Sequence, residues 1–243
     1  MEPGLAARFG LIGDIHAEDR LLAVAIDWLI GRRVDRLLCT GDLVDGVGDA
    51  GRCCSLLAQA GVLTVRGNHD RWLLEGALRD LPDATPPAGL GGDGRAFLSG
   101  LPATRELTTR FGPVLLCHGL GTNDMSRLTP DDYGYAIEVN EDLHALLRAG
   151  RYPWVIHGHT HRPMVRHFAG LTLINPGTLR RDDGPGVAIL DLEAGLFERA
   201  ELGTDGGIGA TIRVGLNGSD WPGCGRLADR PAGIRPTGRR GMR

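Results

Sequence analysis

Short apolar runs and polar stops alternate through the first part of the chain. "RFGLIG" is one such run and ends before Asp14, residues 19–31 carry apolar side chains at helical spacing, and "DRLLCTGD" begins another run. Residues 49–60 repeat the helical pattern, and "GVLTV" is a third run that stops at "RGNHD". Strand and helix in alternation predict a parallel sheet with covering helices. Open sheets of this kind collect their polar, functional residues beyond the carboxyl ends of the strands.

The pattern changes downstream. Residues 82–95, rich in Pro and Gly, read as a surface loop. "RELTTRFGPVLLCHG" predicts a hairpin turning at Phe111 to Pro113, residues 140–149 a helix, and "PWVIHGHTH" a strand running into a loop. "RPMVRHFAGLTLINPG" predicts a hairpin turning at Ala169 and Gly170, and "GVAILDL" one more strand. The second half is thus richer in antiparallel structure, and two packed mixed sheets accommodate both halves. From Gly203 onward, 41 residues hold 11 glycines, 3 prolines and 7 arginines against 3 acidic residues. That composition predicts a single domain over residues 1–202 and a disordered Gly/Arg-rich tail over 203–243.

Composition narrows the classes of partner. A formal charge of -3 gives no bulk attraction for nucleic acid, so any polyanion has to be held locally. All 27 basic residues are arginine. Five cysteines, two of them adjacent at Cys53 and Cys54, form neither a disulfide framework nor a zinc-type spacing, which points to reduced thiols and the cytoplasm. The longest apolar stretch, "LLAVAIDWLI", is too short for a bilayer and is broken by Asp27.

Five segments then stand out: "GDIHAE", "GDLVD", "GNHD", "CHG" and "HGHTH", each after a predicted strand. Residues two apart in extended chain project to the same side, so Asp14 with His16, and His159 with His161, each aim two side chains at one point. Carboxylate oxygen and neutral imidazole together suit Mn, Fe or Zn better than Mg or Ca.

This order of motifs resembles the calcineurin-like metallophosphoesterase superfamily, from about Gly13 to Asp191, and "FLSGLP", "GHTHRPMV" and "NPGT" resemble a compact bacterial branch of phosphodiesterases and nucleotide phosphohydrolases. The resemblance implies a four-layer α/β/β/α sandwich of two mixed sheets with a dinuclear centre of divalent transition metals, Mn first, with Fe, Zn or Ni as alternatives. It assigns Asp14, His16 and His161 to one ion, Asn68, His118 and His159 to the other, and Asp42 to both. It implies attack on a small, nucleotide-like phosphate ester by a metal-bridging hydroxide, with His69 as general acid, Asp70 keeping that imidazole charged, and Arg66 holding the phosphate. Serine/threonine phosphatases carry an arginine after "GDxVD", whereas Gly46 stands there in this chain. A protein phosphatase-like enzyme, a nuclease, and an inactive binding scaffold are the competing readings; every metal ligand and the acid histidine are present, which disfavours the scaffold.

Overall fold

The computed structural model describes residues 5–216. β1 (Arg8–Ile12), α1 (Asp19–Gly31), β2 (Arg36–Cys39), α2 (Ala50–Gln59), β3 (Leu63–Thr64) and α3 (Asn68–Glu75) follow the alternation read from the sequence. α4 (Gly91–Ser99) leads to a hairpin of β4 (Thr104–Leu107) and β5 (Val114–Cys117), then to the short α5 (Tyr135–Glu138) and to α6 (Glu141–Ala149). β6 (Trp154–Ile156), the hairpin of β7 (Met164–Phe168) and β8 (Leu171–Asn175), β9 (Gly186–Asp191), β10 (Leu196–Leu202) and β11 (Ile208–Gly215) complete the described chain.

These strands form two mixed sheets, ordered β11-β10-β9-β1-β2-β3 and β4-β5-β6-β8-β7. β1, β2 and β3 are mutually parallel, as are β5, β6 and β8, so the carboxyl ends of the motif-bearing strands share one end of each sheet. Strand alternation decides what each face buries. Phe9 and Leu11 of β1 join a fully buried cluster with Leu38, Val114, Leu116, Val155 and Ile174, which unites the two sheets. Ile12, Leu37 and Cys39 instead meet Leu22, Ala25 and Leu29 of α1 and Leu57 of α2. Each such Leu or Ile contributes roughly 1.5–3 kcal/mol of transfer free energy. Helix ends are fixed locally: the Asp49 carboxylate accepts from Arg52 N at 2.9 Å, and the Asn140 side chain from Leu143 N at 3.0 Å.

Two stretches differ from the sequence reading. The expected loop at 82–95 ends in α4, whose "GGDG" start has poor helix propensity. Packing explains it: a Cβ on Gly94 would lie 3.6 Å from the Cα of Gly51, so glycines on both helices let α4 approach α2 closely. The expected tail begins too early. Residues 208–215 form β11, antiparallel to β10, with Val214 buried and Arg213 paired to Glu198 at 2.7 Å. The remainder of that expectation, residues 217–243, lies outside the described residues. No helix among the described residues is long and apolar enough to cross a membrane. Cys39, Cys53, Cys54 and Cys117 are free and buried, and burial pushes the Cys54 and Cys117 thiols up to about 12.

Candidate metal centre

All five motifs leave their strands at the same end of the sandwich. Asp14 and His16 follow β1, Asp42 follows β2, Asn68 follows β3, His118 follows β5, and His159 and His161 follow β6. The turns that aim them are strained. His16, Asp42, His159 and His161 have φ of 47°, 50°, 66° and 58°, the left-handed region that non-glycine residues rarely occupy. Close approach also dictates two of the motif glycines: a Cβ on Gly67 would sit 2.1 Å from Asp42 Oδ1, and one on Gly158 would sit 2.1 Å from Asp14 Oδ1. Gly46 has a similar cause, since a Cβ there would meet the His16 carbonyl at 1.8 Å, and no arginine fits that position.

The sequence-derived ligands are brought together, with one atom of each anchored and another left pointing inward. Thr40 Oγ1 donates to Asp14 Oδ1 at 2.9 Å, while Asp14 Oδ2 is buried without any hydrogen-bond partner. His69 N donates to Asp42 Oδ1 at 2.9 Å, and Asp42 Oδ2 lies 3.3 Å from His118 Nε2 and 3.8 Å from His16 Nε2. The imidazoles are oriented through Nδ1: His16 on the Asp45 carbonyl at 3.0 Å, His118 on the Thr40 carbonyl at 2.8 Å, and His161 on Asp183 Oδ2 at 2.7 Å. Those oxygens can only accept, so Nδ1 carries the proton and Nε2 presents a lone pair. His16 Nε2 and His161 Nε2 therefore confront each other at 2.9 Å, with His161 Nε2 3.4 Å from Asp14 Oδ2. On the other side, Asn68 Oδ1 is 2.9 Å from both His118 Nε2 and His159 Nδ1.

Converging ring nitrogens and a bare buried carboxylate oxygen are groups that could hold a cation. Burial pushes the Asp42 carboxyl up, but His118, His16 and His69 outweigh it and hold it below the usual carboxylate range. Burial lowers His118, yet Asp42 and Asp14 reverse this and raise it to about 10. Asp14, His16 and His161 bring ligand atoms close enough to hold a metal ion, as do Asp14, Asp42 and His118, and Asn68 and His159 adjoin the latter group.

His69 lies beside this centre, grouped with His16 and Asp42 and with its ring 4.8 Å from that of Trp72. The carboxylate that charges it is Asp45, whose Oδ2 is 2.8 Å from His69 Nδ1. Asp70, expected in that role, is turned away: its two oxygens accept from Leu43 N at 2.7 Å and Gly67 N at 2.9 Å, tying the "GDLVD" turn to the start of α3. Burial and the neighbouring Asp42 raise the Asp70 carboxyl above its ordinary range. Burial lowers His69, but the hydrogen bond to Asp45 and the charges of Asp42, Asp45 and Asp70 raise it overall. Burial likewise raises Asp45, and His69, Arg79 and the Thr85 N–H bring it down to about 2. The signal for Asp45 is the second aspartate of "GDLVD".

Arg66 is half-buried and has no acidic partner among the described residues. His157, left out of the ligand set, is fully buried with neither ring nitrogen hydrogen-bonded, and burial lowers it to about 3, as suits a neutral packing residue. The "NPGT" segment supports the centre: Asn175 Nδ2 donates to the Gly158 carbonyl at 2.8 Å, and Thr178 Oγ1 to the Asp14 carbonyl at 2.7 Å. A cavity of about 180 Å³ opens beside His16 and His69, walled by Val47, Leu81, Pro82 and Arg180.

Comparison with known proteins agrees with this geometry. No curated protein matches the chain. Among solved structures, a hypothetical protein of Pyrococcus horikoshii OT3 shares 14% identity over 86% of this chain and 87% of its own, with a TM-score of 0.64. A metallophosphoesterase of Sphaerobacter thermophilus shares 21% over 76% and 84%, with a TM-score of 0.56. A protein put forward as a diadenosine tetraphosphatase shares 21% over 89% and 97%, with a TM-score of 0.53. At these identities the likeness is one of fold. Residues 8–195, a span that holds all five motifs, match the model of the calcineurin-like phosphoesterase superfamily domain, and this chain belongs to that superfamily of phosphoester hydrolases.

Proposed function

We propose that the protein hydrolyses small, nucleotide-like phosphate esters with two divalent transition-metal ions. The observation that carries this is the convergence of His16 Nε2, His161 Nε2 and the unpartnered Asp14 Oδ2 on one point, with Asp42 Oδ2 reaching toward both this set and His118. Ions bound there supply Lewis acidity toward the phosphoryl group and lower the pKa of water toward about 7.

The chain's own residues do the rest. Asp42, with one oxygen fixed by the His69 N–H, would help to hold both ions. His69, kept protonated by Asp45, delivers its proton to the departing oxygen. Arg66, next to the Gly67 turn and free of carboxylates, is available to grip the phosphate by its planar fork. The cavity at His69 receives the leaving group. At about 180 Å³ it is smaller than the roughly 300 Å³ of a typical ligand cleft, and suits a group of sugar or nucleoside size. A likeness to the protein put forward as a diadenosine tetraphosphatase supports the nucleotide-like class. The blocked position at Gly46 sets the site apart from serine/threonine phosphatases.

A hydrolysis panel of phosphomonoesters, phosphodiesters, cyclic nucleotides and dinucleoside polyphosphates, each with Mn, Ni, Zn and Mg, tests this reading. Turnover with Mn and poor turnover with Mg alone is the expected result. Metal analysis that finds no bound ion under Mn saturation overturns it.

A further inference from the structure

β10 reads "LFERAEL", and its alternation carries Phe197 into the core between the sheets and Arg199 onto the same face two residues later. A buried guanidinium is costly unless a carboxylate pairs with it. Arg199 is only 6% exposed, burial lowers its pKa, and among the described residues it makes no ion pair. Its partners are two carbonyls: Nε donates to Pro176 O at 3.1 Å and Nη2 to Gly184 O at 2.7 Å. The seat is shaped for it, since a Cβ on Gly186 would come within 2.4 Å of Nη2 and one on Gly177 within 3.3 Å. A leucine or methionine in this place satisfies the core without the desolvation cost, so the arginine's distinctive contribution is those two bonds.

What they hold is residues 176–184, and the direct contacts of that segment with the candidate ligands go to one subsite. Thr178 Oγ1 and Leu179 N both donate to the Asp14 carbonyl, at 2.7 and 2.8 Å. Arg181 grips Glu18, two residues beyond His16, through Nε at 2.6 Å and Nη2 at 2.8 Å. Asp183 accepts from His161 Nδ1 at 2.7 Å. The other subsite meets the segment only at second hand: His118 is held by the Thr40 carbonyl, and the turn bearing His159 by Asn175 of β8, whose Oδ1 in turn accepts from Gly177 N at 2.8 Å.

We propose that Arg199 is a positioning residue that clamps both ends of the 176–184 segment and thereby sets the Asp14, His16 and His161 subsite, leaving the second subsite largely independent of it. The inference rests on the two-ion reading above. Calorimetric Mn titration of the full chain tests it, comparing wild type with Arg199→Met, which keeps the buried length and removes the donors, and Arg199→Lys, which cannot bridge both carbonyls. We expect two sites in the wild type; in Arg199→Met one site stays unchanged and the other weakens at least tenfold, with the Tm held or raised, and Arg199→Lys falls between. Thr178→Val, which removes the hydroxyl on Asp14 from the segment itself, gives the same one-site loss and decides the matter if Arg199→Met does not fold. Unchanged affinity at both sites, or equal weakening of both together with a lower Tm, overturns the clamp while leaving the two-ion reading intact. A wild type that binds no second ion overturns that reading and the clamp with it.

Discussion

At the scale of single residues, the site works by giving each polar atom one fixed partner and leaving one atom for the chemistry. The division of labour between Asp45 and Asp70 is the sharpest case, because both are aspartates near His69 and only one touches its ring. In the proposed mechanism His69 acts as an acid while protonated, so activity that depends on it is present below its raised pKa and is lost as pH rises through that value. Neutralising Asp45 weakens the hydrogen bond that raises that imidazole most and removes one of the charges that add to it. Asp45→Asn is therefore expected to move the basic limb of the kcat/KM profile to lower pH, and to slow esters with poor leaving groups more than p-nitrophenyl esters, by up to about 10²-fold. A pH profile measured on both ester classes checks this; an unmoved basic limb means that another group donates the proton.

At the scale of elements, Asp70 is a joint between the turn after β2 and the first turn of α3. Its carboxylate satisfies Leu43 N and Gly67 N, two buried donors that an amide cannot both accept, because one end of the asparagine side chain is itself a donor. Asp70→Asn is expected to cost about 1–3 kcal/mol of stability and to lower metal affinity by loosening Asn68. The basic limb set by His69 should move much less than in Asp45→Asn, and denaturant unfolding with a parallel pH profile separates the two effects. This joint also shows what the sequence made legible. The motifs, their strands and the meeting of the seven candidate ligands at one place are readable because ligand chemistry and strand ends are local properties. The partner of His69 was not, because Asp70 is adjacent in sequence while Asp45 reaches it only through the folded "GDLVD" turn. α4 was hidden for a related reason: its glycines lower intrinsic helix propensity, and only contact with α2 repays them. Arg199 and Asp183 lie outside the quoted motifs, and their contacts are seen only when the 176–184 segment is set against the turns after β1 and β6.

At the scale of the whole molecule, the question is where the cooperative unit ends. Composition placed the boundary at Leu202, yet "IRVGL" alternates apolar and polar residues, and β11 uses that alternation to add Val214 to the core and Arg213 to the Glu198 pair. Glu198 is 5% exposed and also meets Arg32, just beyond α1, at 3.0 Å, so β11 completes a charge cluster that joins the sheet edge to the end of its covering helix. A chain ending at Leu202 loses that partner, leaves the β10 edge unpaired, and uncovers Phe197, which is fully buried and lies opposite Val214 in the strand register. Since β10 also carries Arg199, the loss extends to the segment that holds Asp14 and His161. A chain ending at Leu216 keeps every one of these contacts. The shorter chain is therefore expected to unfold at a Tm several degrees lower and to bind Mn more weakly, whereas the longer one matches the full chain in Tm, Mn stoichiometry and turnover of small esters. Thermal unfolding with and without Mn, run on all three chains, checks this. Equal behaviour of the two truncated chains shows that β11 is dispensable and that the domain closes at β10.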